Sequence, residues 1–401
     1  MRAYPGQKPE NHQVIRKKGR ISGQESPRPN KQNMENAIHI LTEDAVDLLK
    51  GMIAIPSPSF SEAEVCTYIC EWMSNKGLIY RRIGNNIMAR LSEQPGADTE
   101  AFKGKPTLML CAHIDTVSPS NEYSFDPYNP DYAKAAEVIG SDQIVAGLGS
   151  NDDGASVVSM IAAFRSFTGS ATADILLVLS CEEERSGLNG MTGLWPEIKS
   201  DVDFAIVGEP TQMKAATAER GLLVIDATAH GVSGHAARNE GVNAIEIAIK
   251  DIENIRRHEF SKISPRMGKV NLNVTQINAG TAHNVIPDIC TFVIDIRPTE
   301  QYSNEEILKE LQNICQSELK ARNLSNRSSA AHEDSILQKT ADKLGIETFS
   351  SPTTSDWMRI DCDEIKMGPG NSSRSHKKDE FVYIKEIEEG IRTYIEFINN
   401  L

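Results

Sequence analysis

The 401-residue sequence lacks any apolar run that approaches the roughly 18 residues of a membrane-spanning helix. It also lacks an excess of positive charge, because 42 Lys and Arg stand against 56 Asp and Glu and give a net charge of −14. A chain this acidic is repelled by phosphate backbones and by anionic lipid surfaces. These two absences exclude a membrane and nucleic acid as expected partners.

Cysteine is scarce and odd in number, with seven in the chain. Several of the seven lie inside apolar runs, which indicates reduced thiols rather than a disulfide framework. Cys66 and Cys70 stand four residues apart on a predicted helix, where core packing explains them better than zinc binding does. We therefore expect a cytoplasmic protein.

The hydrophobic pattern divides the chain into a tail and two domains, as its length suggests. Residues 1–33 hold eight Lys or Arg, two Glu and few apolar residues, and are predicted to be a disordered basic tail. Fully apolar strands then alternate with helices in residues 34–211, and the same style returns in residues 326–401. This pattern predicts an α/β domain with a mainly parallel sheet and helices on both faces.

Residues 212–325 have a different pattern. Strands such as "RGLLVIDATAHGVSG" alternate between apolar and polar positions, and the helices between them are amphipathic. Alternating strands are typical of a sheet with one open face. We therefore predict a smaller α+β domain inserted into the α/β domain.

The stretch "LMLCAHIDTV" ends an apolar strand in His113 and Asp115. Residues two apart share one face of a strand, so the carboxylate could hold the imidazole. Such a pair suits a metal ligand with its partner, or a catalytic histidine. Taken alone, the pair is equally compatible with a strand that ends in a polar loop.

Four more segments carry acidic or imidazole side chains, as His113 and Asp115 do. In these segments the polar residue follows an apolar strand or lies in a loop near the C-terminus. They contribute Asp152; Glu182, Glu183 and Glu184; Glu209; and His376. The carboxyl ends of parallel strands meet at one edge of a sheet, so these groups are expected to meet there. Crowded carboxylates repel one another unless cations bind between them, and this donor set suits two zinc-class ions bridged by one carboxylate. Each segment also has an alternative explanation that involves no metal. The three glutamates could lie in a solvated loop, and Asp152 could cap a helix.

At this point the sequence resembles the co-catalytic zinc amidohydrolases, which include acetylornithine deacetylase, succinyl-diaminopimelate desuccinylase and aminoacylase. The motifs "CAHIDTV", "GLGSND", "LSCEEE", "VGEPT", "GVSGHAA", "NVIPD", "DIR" and "SRSH" appear in that family's order over about residues 40 to 400. "GHAARNEG" and "MGPGNSSRSH" look like the acetylornithine or succinylornithine deacetylase branch. The resemblance implies a zinc-peptidase-like fold, with residues 34–211 and 326–401 forming the catalytic domain and residues 212–325 a dimerisation or lid domain.

The resemblance also implies two zinc ions, which cobalt can replace, and a role for each ligand. The implied ligands are His113, Asp152 and Glu209 for one ion, and Glu184, Asp152 and His376 for the other. Asp115 would orient the first imidazole, and Glu183 would be the general base. Two alternatives stay open. The register could shift so that Glu182 is the base, and Asp153 could replace its neighbour as the bridge.

The remaining implied roles belong to the inserted domain. His235 matches the histidine that stabilises the oxyanion, often from the other subunit, so a homodimer through this domain is implied. Asn284 and Arg297 match positions that hold a substrate carboxylate or carbonyl, and Arg220 is a weaker candidate that could instead form surface salt bridges. Arg374 and Asp356 are further candidates for substrate contact.

The predicted reaction is hydrolysis of the N-acyl amide of a small acylated amino acid. The favoured substrates are N-acetyl- and N-succinyl-L-ornithine, in arginine biosynthesis. The alternatives are a succinyl-diaminopimelate desuccinylase, a small dipeptidase, or a metal-poor relative that serves as a scaffold or binding protein. The presence of every expected ligand and of the base disfavours the last of these.

Overall fold

The structure is a computed structural model that describes residues 31–167, 171–238 and 240–401. Of the predicted basic tail, residues 1–30 lie outside the described residues. The last three residues of the predicted tail, 31–33, are helical and belong to the helix Lys31–Ile53.

The helices of these ranges are, in chain order, α1 (Lys31–Ile53), α2 (Ala63–Asn75), α3 (Thr99–Phe102), α4 (Tyr132–Ile139), α5 (Gly154–Ser166), α6 (Met191–Ile198), α7 (Ala244–Arg257), α8 (Asn304–Ile314), α9 (Ile336–Leu344) and α10 (Ile384–Asn399). The strands are β1 (Arg81–Ile83), β2 (Asn86–Arg90), β3 (Thr107–His113), β4 (Ile144–Ala146), β5 (Asp174–Ser180), β6 (Phe204–Val207), β7 (Ala215–Glu219), β8 (Leu223–His230), β9 (Gly234–His235), β10 (Asn271–Ala279), β11 (Val285–Ile286), β12 (Ile289–Arg297), β13 (Glu318–Ala321), β14 (Ser329–Ala330), β15 (Thr348–Ser351), β16 (Asp363–Lys366) and β17 (Phe381–Tyr383).

A nine-stranded sheet forms the centre of the larger part, in the order β1-β2-β5-β3-β6-β16-β7-β14, with β15 also paired to β7. The four inner strands β5, β3, β6 and β16 are parallel to one another. Antiparallel pairs occur towards the edges, at β1–β2, β2–β5, β16–β7 and β14–β7. The predicted mainly parallel sheet is confirmed for its central strands.

Strand β3 shows why its sequence is apolar throughout. All seven residues are buried, because helices cover both faces of the sheet. Leu108 and Leu110 face the core formed with α1, α2, α5 and α10, while Met109 and Cys111 face the core formed with α6. The predicted helices on both faces are confirmed.

The second sheet has four strands in the order β10-β12-β8-β13, and all its neighbouring pairs are antiparallel. Buried and half-buried residues alternate along β8, as its sequence predicts. Its buried residues pack with those of α7 and α8 in a separate hydrophobic core. The smaller α+β layer with one open face is thus present.

Because of strand β7, the chain leaves the large sheet later in the sequence than the predicted boundary after residue 211. Residues 215–219 still belong to that sheet, and the chain enters the four-stranded sheet only at Leu223. The predicted boundary after residue 211 therefore lies before the last strand of the first segment. The division into separate domains stays a prediction.

All seven cysteines are free thiols, and five of them are buried. Cys66 and Cys70 both contribute to the main hydrophobic core, as predicted. Across the helices that the structure describes, none has the length and apolar character needed to cross a membrane.

Candidate active site

His113 lies at the carboxyl end of β3 and is 3% exposed. Its Nδ1 is 2.9 Å from the backbone oxygen of Asp115 and 3.4 Å from the carboxylate Oδ1 of the same residue. The imidazole is thus held mainly by the main chain of Asp115, with the predicted carboxylate contact as a longer second one. This arrangement turns Nε2 towards the cleft.

The Asp115 carboxylate has a further role that the sequence did not reveal. It accepts hydrogen bonds from the backbone N–H of Glu183 at 3.0 Å and of Glu184 at 3.1 Å. It also accepts one from Ser59 Oγ at 2.6 Å. A residue that follows β3 therefore fixes the acidic turn that follows β5.

The three consecutive glutamates point in different directions. Glu182 adopts a left-handed conformation, with φ of 60°, and its carboxylate accepts hydrogen bonds from the backbone and side-chain N–H groups of Asn189 at 3.0 and 2.7 Å. Its own backbone N–H donates to Glu62 Oε1 at 3.2 Å. Glu183 and Glu184 instead line the cleft. This geometry favours Glu183 and Glu184 over the shifted register.

Asp152 lies in the turn before α5 and faces both histidines. Its Oδ1 is 3.2 Å from His113 Nε2, and its Oδ2 is 3.7 Å from His376 Nε2. His376 Nε2 is in turn 2.9 Å from Glu184 Oε1. One carboxylate thus presents a separate oxygen to each half of the site, which is the position of a bridging ligand.

Two groups of side chains have the composition predicted for two ions. His113, Asp152 and Glu209 form one group, and Asp152, Glu184 and His376 form the other. Within each group the potential ligand atoms lie within 4.8 Å of one another. A third such group, with His113, Glu183 and Glu184, overlaps them.

The charges of these groups fit a bound cation. Burial, followed by repulsion from Asp152, raises the pKa of Glu209 well above its usual range. Burial also raises the pKa of Glu183 well above its usual range, although His113 opposes the shift. Uncompensated carboxylates are therefore unstable here, and a divalent ion between them would favour their ionised forms. Imidazole and carboxylate are ligands that zinc accepts, so the residues fit the implied metal.

Asp153 occupies a different position from its neighbour. It is 1% exposed and lines a small separate cavity of about 10 Å³ with His113 and Asp115. Burial raises the pKa of Asp153 to about 8. The geometry therefore favours Asp152 as the shared ligand.

The cleft has a volume of about 200 Å³, and part of its lining was missed by sequence reasoning. Its wall includes Thr353, Thr354, Ser372 and Ser375. These small hydroxyl residues lie in loops or, for Ser372, in a short 3-10 helix, and have no periodic pattern. Only the proximity of the last two to His376 in the sequence could have indicated them.

Two further candidates for substrate contact have internal partners. Arg374 donates two hydrogen bonds to the Glu386 carboxylate, at 2.7 and 2.8 Å, and its guanidinium lies over the Phe381 ring. Asp356 is buried and accepts a hydrogen bond from Ser180 Oγ at 2.6 Å. Both side chains therefore already have partners within the chain.

His235 and Asn284 come together, but away from the residues that line the cleft. His235 is exposed in β9 and pairs with Val285 in β11. The backbone oxygen of Asn284 accepts a hydrogen bond from the N–H of Ala236 at 3.1 Å. The two predicted residues thus lie together at the two-stranded β9–β11 pair, which is separate from the four-stranded sheet.

The two predicted arginines differ in how their guanidinium groups are used. Arg297 ends β12 and forms a two-point ion pair with Asp295, at 2.8 and 3.1 Å. Arg220 donates to three backbone oxygens, those of Lys269 at 3.0 Å, Arg297 at 3.1 Å and Met267. Arg220 therefore braces the junction between the two sheets, which favours a structural role over substrate binding.

Comparison with known families gives two matches that together cover more than half of the chain. Residues 217–323 match the family described as "Peptidase dimerisation domain". Residues 86–204 match "Peptidase family M28". The first match contains the four-stranded sheet, and the second contains the strands that carry His113 and the acidic turn.

Two curated relatives match nearly the whole chain at low identity. The acetylornithine deacetylase of Proteus mirabilis is 26% identical over 379 residues, which cover 86% of this chain and 93% of the relative. The succinyl-diaminopimelate desuccinylase of Pelagibacter ubique is 23% identical over 399 residues, which cover 90% and 99%.

A solved structure shows the same fold. The YXEP protein of Bacillus subtilis, described as a dinuclear metal-binding peptidase of the M20 family, has a TM-score of 0.65 and 13% sequence identity to this chain. The similarity covers 90% of this chain and 100% of that one. The two sheets described above therefore have the arrangement of a known metallopeptidase fold.

Proposed function

We propose that the chain is a di-zinc hydrolase of the M20 peptidase family that removes the acyl group from an acylated amino acid, because residues 217–323 match the peptidase dimerisation domain and an acetylornithine deacetylase is similar over most of the chain. The proposed substrates are N-acetyl- and N-succinyl-L-ornithine, and the proposed role is arginine biosynthesis.

The position of Asp152 carries this proposal. Its two carboxylate oxygens face His113 and His376 separately, at 3.2 and 3.7 Å. A metal-poor scaffold protein would not need both imidazoles, the shared carboxylate and the flanking carboxylates in one cleft. The arrangement supports two adjacent ions that share one ligand.

In the proposed site, His113, Asp152 and Glu209 would hold one zinc ion, and Glu184, Asp152 and His376 would hold the other. When bound, the ions lower the pKa of a water molecule towards neutrality and polarise the amide carbonyl. Asp115 keeps the His113 ring in place, since its backbone oxygen is 2.9 Å from Nδ1.

Glu183 is the proposed general base. Its side chain lines the cleft, and its backbone is fixed by the Asp115 carboxylate. It takes a proton from the attacking water and delivers that proton to the leaving amine nitrogen. The water thereby attacks the amide carbon, the C–N bond breaks, and a carboxylate and an amine are released.

The negative charge that develops on the amide oxygen needs a hydrogen-bond donor. We assign this role to His235 of a second copy, because His235 is exposed in the two-stranded β9–β11 pair and does not line the cleft of its own chain. Asn284 lies beside it, and with Arg297 it is the proposed contact for the polar groups of the substrate. Arg297 would exchange its ion pair with Asp295 for the substrate carboxylate.

The test is amine release by zinc-loaded protein from three substrates: N-acetyl-L-ornithine, N-succinyl-L-ornithine and N-succinyl-diaminopimelate. Selective turnover of one ornithine derivative is expected, and it would name the acyl group. Preference for the diaminopimelate derivative would replace the proposal by desuccinylation. Turnover of none of the three, with two zinc ions bound, would overturn the ornithine assignment and direct the search to dipeptides.

A further inference from the structure

Glu380 lies at the centre of the turn that carries Asp152. It directly precedes β17, which pairs with β4, and the chain leaves β4 into residues 147–152. The backbone oxygen of Glu380 accepts a hydrogen bond from Gly147 N–H at 2.9 Å and thus continues this pairing. The turn then wraps around the Glu380 side chain.

The Glu380 carboxylate accepts hydrogen bonds from three backbone N–H groups of this turn. Oε1 accepts from Asn151 and from Asp152, both at 2.9 Å, and Oε2 accepts from Gly149 at 3.2 Å. The residue is 2% exposed, so water does not compete for these contacts. These three N–H donors need hydrogen-bond acceptors on both terminal atoms of the side chain. A carboxylate has two acceptor oxygens, whereas a side-chain amide has one oxygen and one NH₂ group that only donates.

The same turn is tied to the loop that carries His376. The side chain of Asn151 donates to the backbone oxygen of Asn371 at 3.2 Å and to Ser375 Oγ at 3.3 Å, and it accepts from the N–H of Asn371 at 2.8 Å. The turn that Glu380 holds therefore carries Asp152 and is also bonded to the loop that carries His376. These are two of the three proposed ligands of the second ion.

We propose that Glu380 is a positioning residue for Asp152, whose backbone it fixes so that one carboxylate oxygen faces each ion. This inference rests on the proposed function, which makes Asp152 the shared ligand. Burying a carboxylate is costly unless its hydrogen bonds are satisfied, and the three N–H groups satisfy them. In return, the turn holds Asp152 in the shared position before metal binds, so less ordering is needed on binding.

The chain offers a matched control in Asp251 on α7. Its carboxylate is 1% exposed and accepts from Gln316 N–H at 2.9 Å, Ser317 N–H at 2.7 Å and Ser317 Oγ at 2.6 Å. These contacts lie within the inserted sheet and its helices, away from the proposed ligands. Glu380→Gln and Asp251→Asn therefore remove the same kind of acceptor, and only one of them acts on the metal site.

The experiment measures zinc stoichiometry and affinity by competition with a chromogenic chelator, together with the melting temperature of the metal-free proteins. We expect Glu380→Gln to weaken zinc binding by about 10- to 100-fold, which is the usual effect of losing a group that orients a ligand. Asp251→Asn should lower the melting temperature to a similar extent and leave zinc affinity unchanged.

Unchanged zinc binding by Glu380→Gln, with a lowered melting temperature, would show that Glu380 only stabilises the turn and would overturn the inference. If Glu380→Gln does not fold, the same measurements are made on Glu380→Asp. This variant keeps two carboxylate oxygens, but its shorter side chain places them farther from the three backbone N–H groups. Glu380→Asp is then expected to weaken zinc binding, and wild-type affinity would overturn the inference. A wild-type protein that binds no zinc would instead refute the proposed function itself.

Discussion

The cleft at the carboxyl ends of the large sheet and the two-stranded β9–β11 pair differ in how many of the predicted site residues one chain brings together in the cleft. At the cleft, residues from five separate segments lie within hydrogen-bond distance or a few ångströms of one another. At the β9–β11 pair, His235 and Asn284 lie together but do not line the cleft. One chain thus brings the predicted metal ligands together, whereas these two predicted residues are not among those that line the cleft.

This difference follows from how each region is held. The cleft residues follow parallel strands whose pairing fixes their ends at one edge, and the Asp115 carboxylate links two of those ends directly. The chain enters the four-stranded sheet at β8 and leaves it after β13, and Arg220 and Arg266 form hydrogen bonds across the junction with the large sheet. Under the proposed function, His235 acts in the cleft of a second chain.

The largest effect is expected from His113→Ala, which tests whether the cleft is the reaction centre. Without the imidazole, the first ion loses one of its three proposed protein ligands, and activity should fall by more than about 1000-fold because the ion supplies both nucleophile and electrophile. Metal analysis should show loss of zinc. His258→Ala, in the inserted domain, is the control, and normal turnover by His113→Ala would contradict the site.

Glu183→Gln should lower kcat by about 10²- to 10⁴-fold and leave both zinc ions bound, because it removes proton transfer but no ligand. Glu182→Gln is the comparison. Its side chain bonds to Asn189, so its kcat should change little. If Glu183→Gln loses zinc and Glu182→Gln loses turnover, the register shifts by one residue.

The inserted domain is tested by His235→Ala, which should lower kcat by about 10²- to 10³-fold without loss of zinc. Mixing His235→Ala with Glu183→Gln tells where the histidine acts. If His235 acts across a dimer, one site of each mixed dimer has Glu183 from one chain and His235 from the other. Activity should then return on mixing. Wild-type kcat in His235→Ala, or no recovery on mixing, would count against the proposed role across subunits.

The smallest effects concern the two arginines. Arg297→Met should raise KM by roughly 10- to 100-fold, since a charged hydrogen bond contributes about 1.5–3 kcal/mol. Arg220→Met should leave KM unchanged and lower the free energy of unfolding by about 1–3 kcal/mol, because it leaves backbone oxygens without their donor. Steady-state kinetics measures the change in KM, and urea denaturation measures the change in the free energy of unfolding. A raised KM in Arg220→Met and a lowered stability in Arg297→Met would exchange the proposed roles of the two arginines.

The sequence predicted the central strands and the acidic groups at their ends, because fully apolar strands followed by polar residues have a clear pattern. β3 ends at His113 as its apolar run indicates, and the acidic turn follows β5. Local pattern was sufficient where a strand end alone determines the position of a side chain.

Contacts between distant segments could not be predicted in this way. The carboxylate of Asp115 bonds to the backbone of Glu183, and that of Glu380 bonds to the backbone of Asp152, 228 residues earlier in the chain. Such bonds use main-chain N–H groups that every residue except proline has, so they leave no trace in the sequence pattern. The contacts of Arg220 were likewise not predictable from the sequence, since its acceptors are backbone oxygens.

The position of β16 has a consequence for how the chain folds during synthesis. β16 lies between β6 and β7, yet it is made after the whole inserted sheet. Until Lys366 has left the ribosome, β6 has an unpaired edge, and Trp357 has not yet reached the core that contains Met109. An open edge of an apolar parallel strand is a template for aggregation. A chain that stops at the end of the inserted sheet is therefore expected to be insoluble, although it contains four of the five segments that build the cleft.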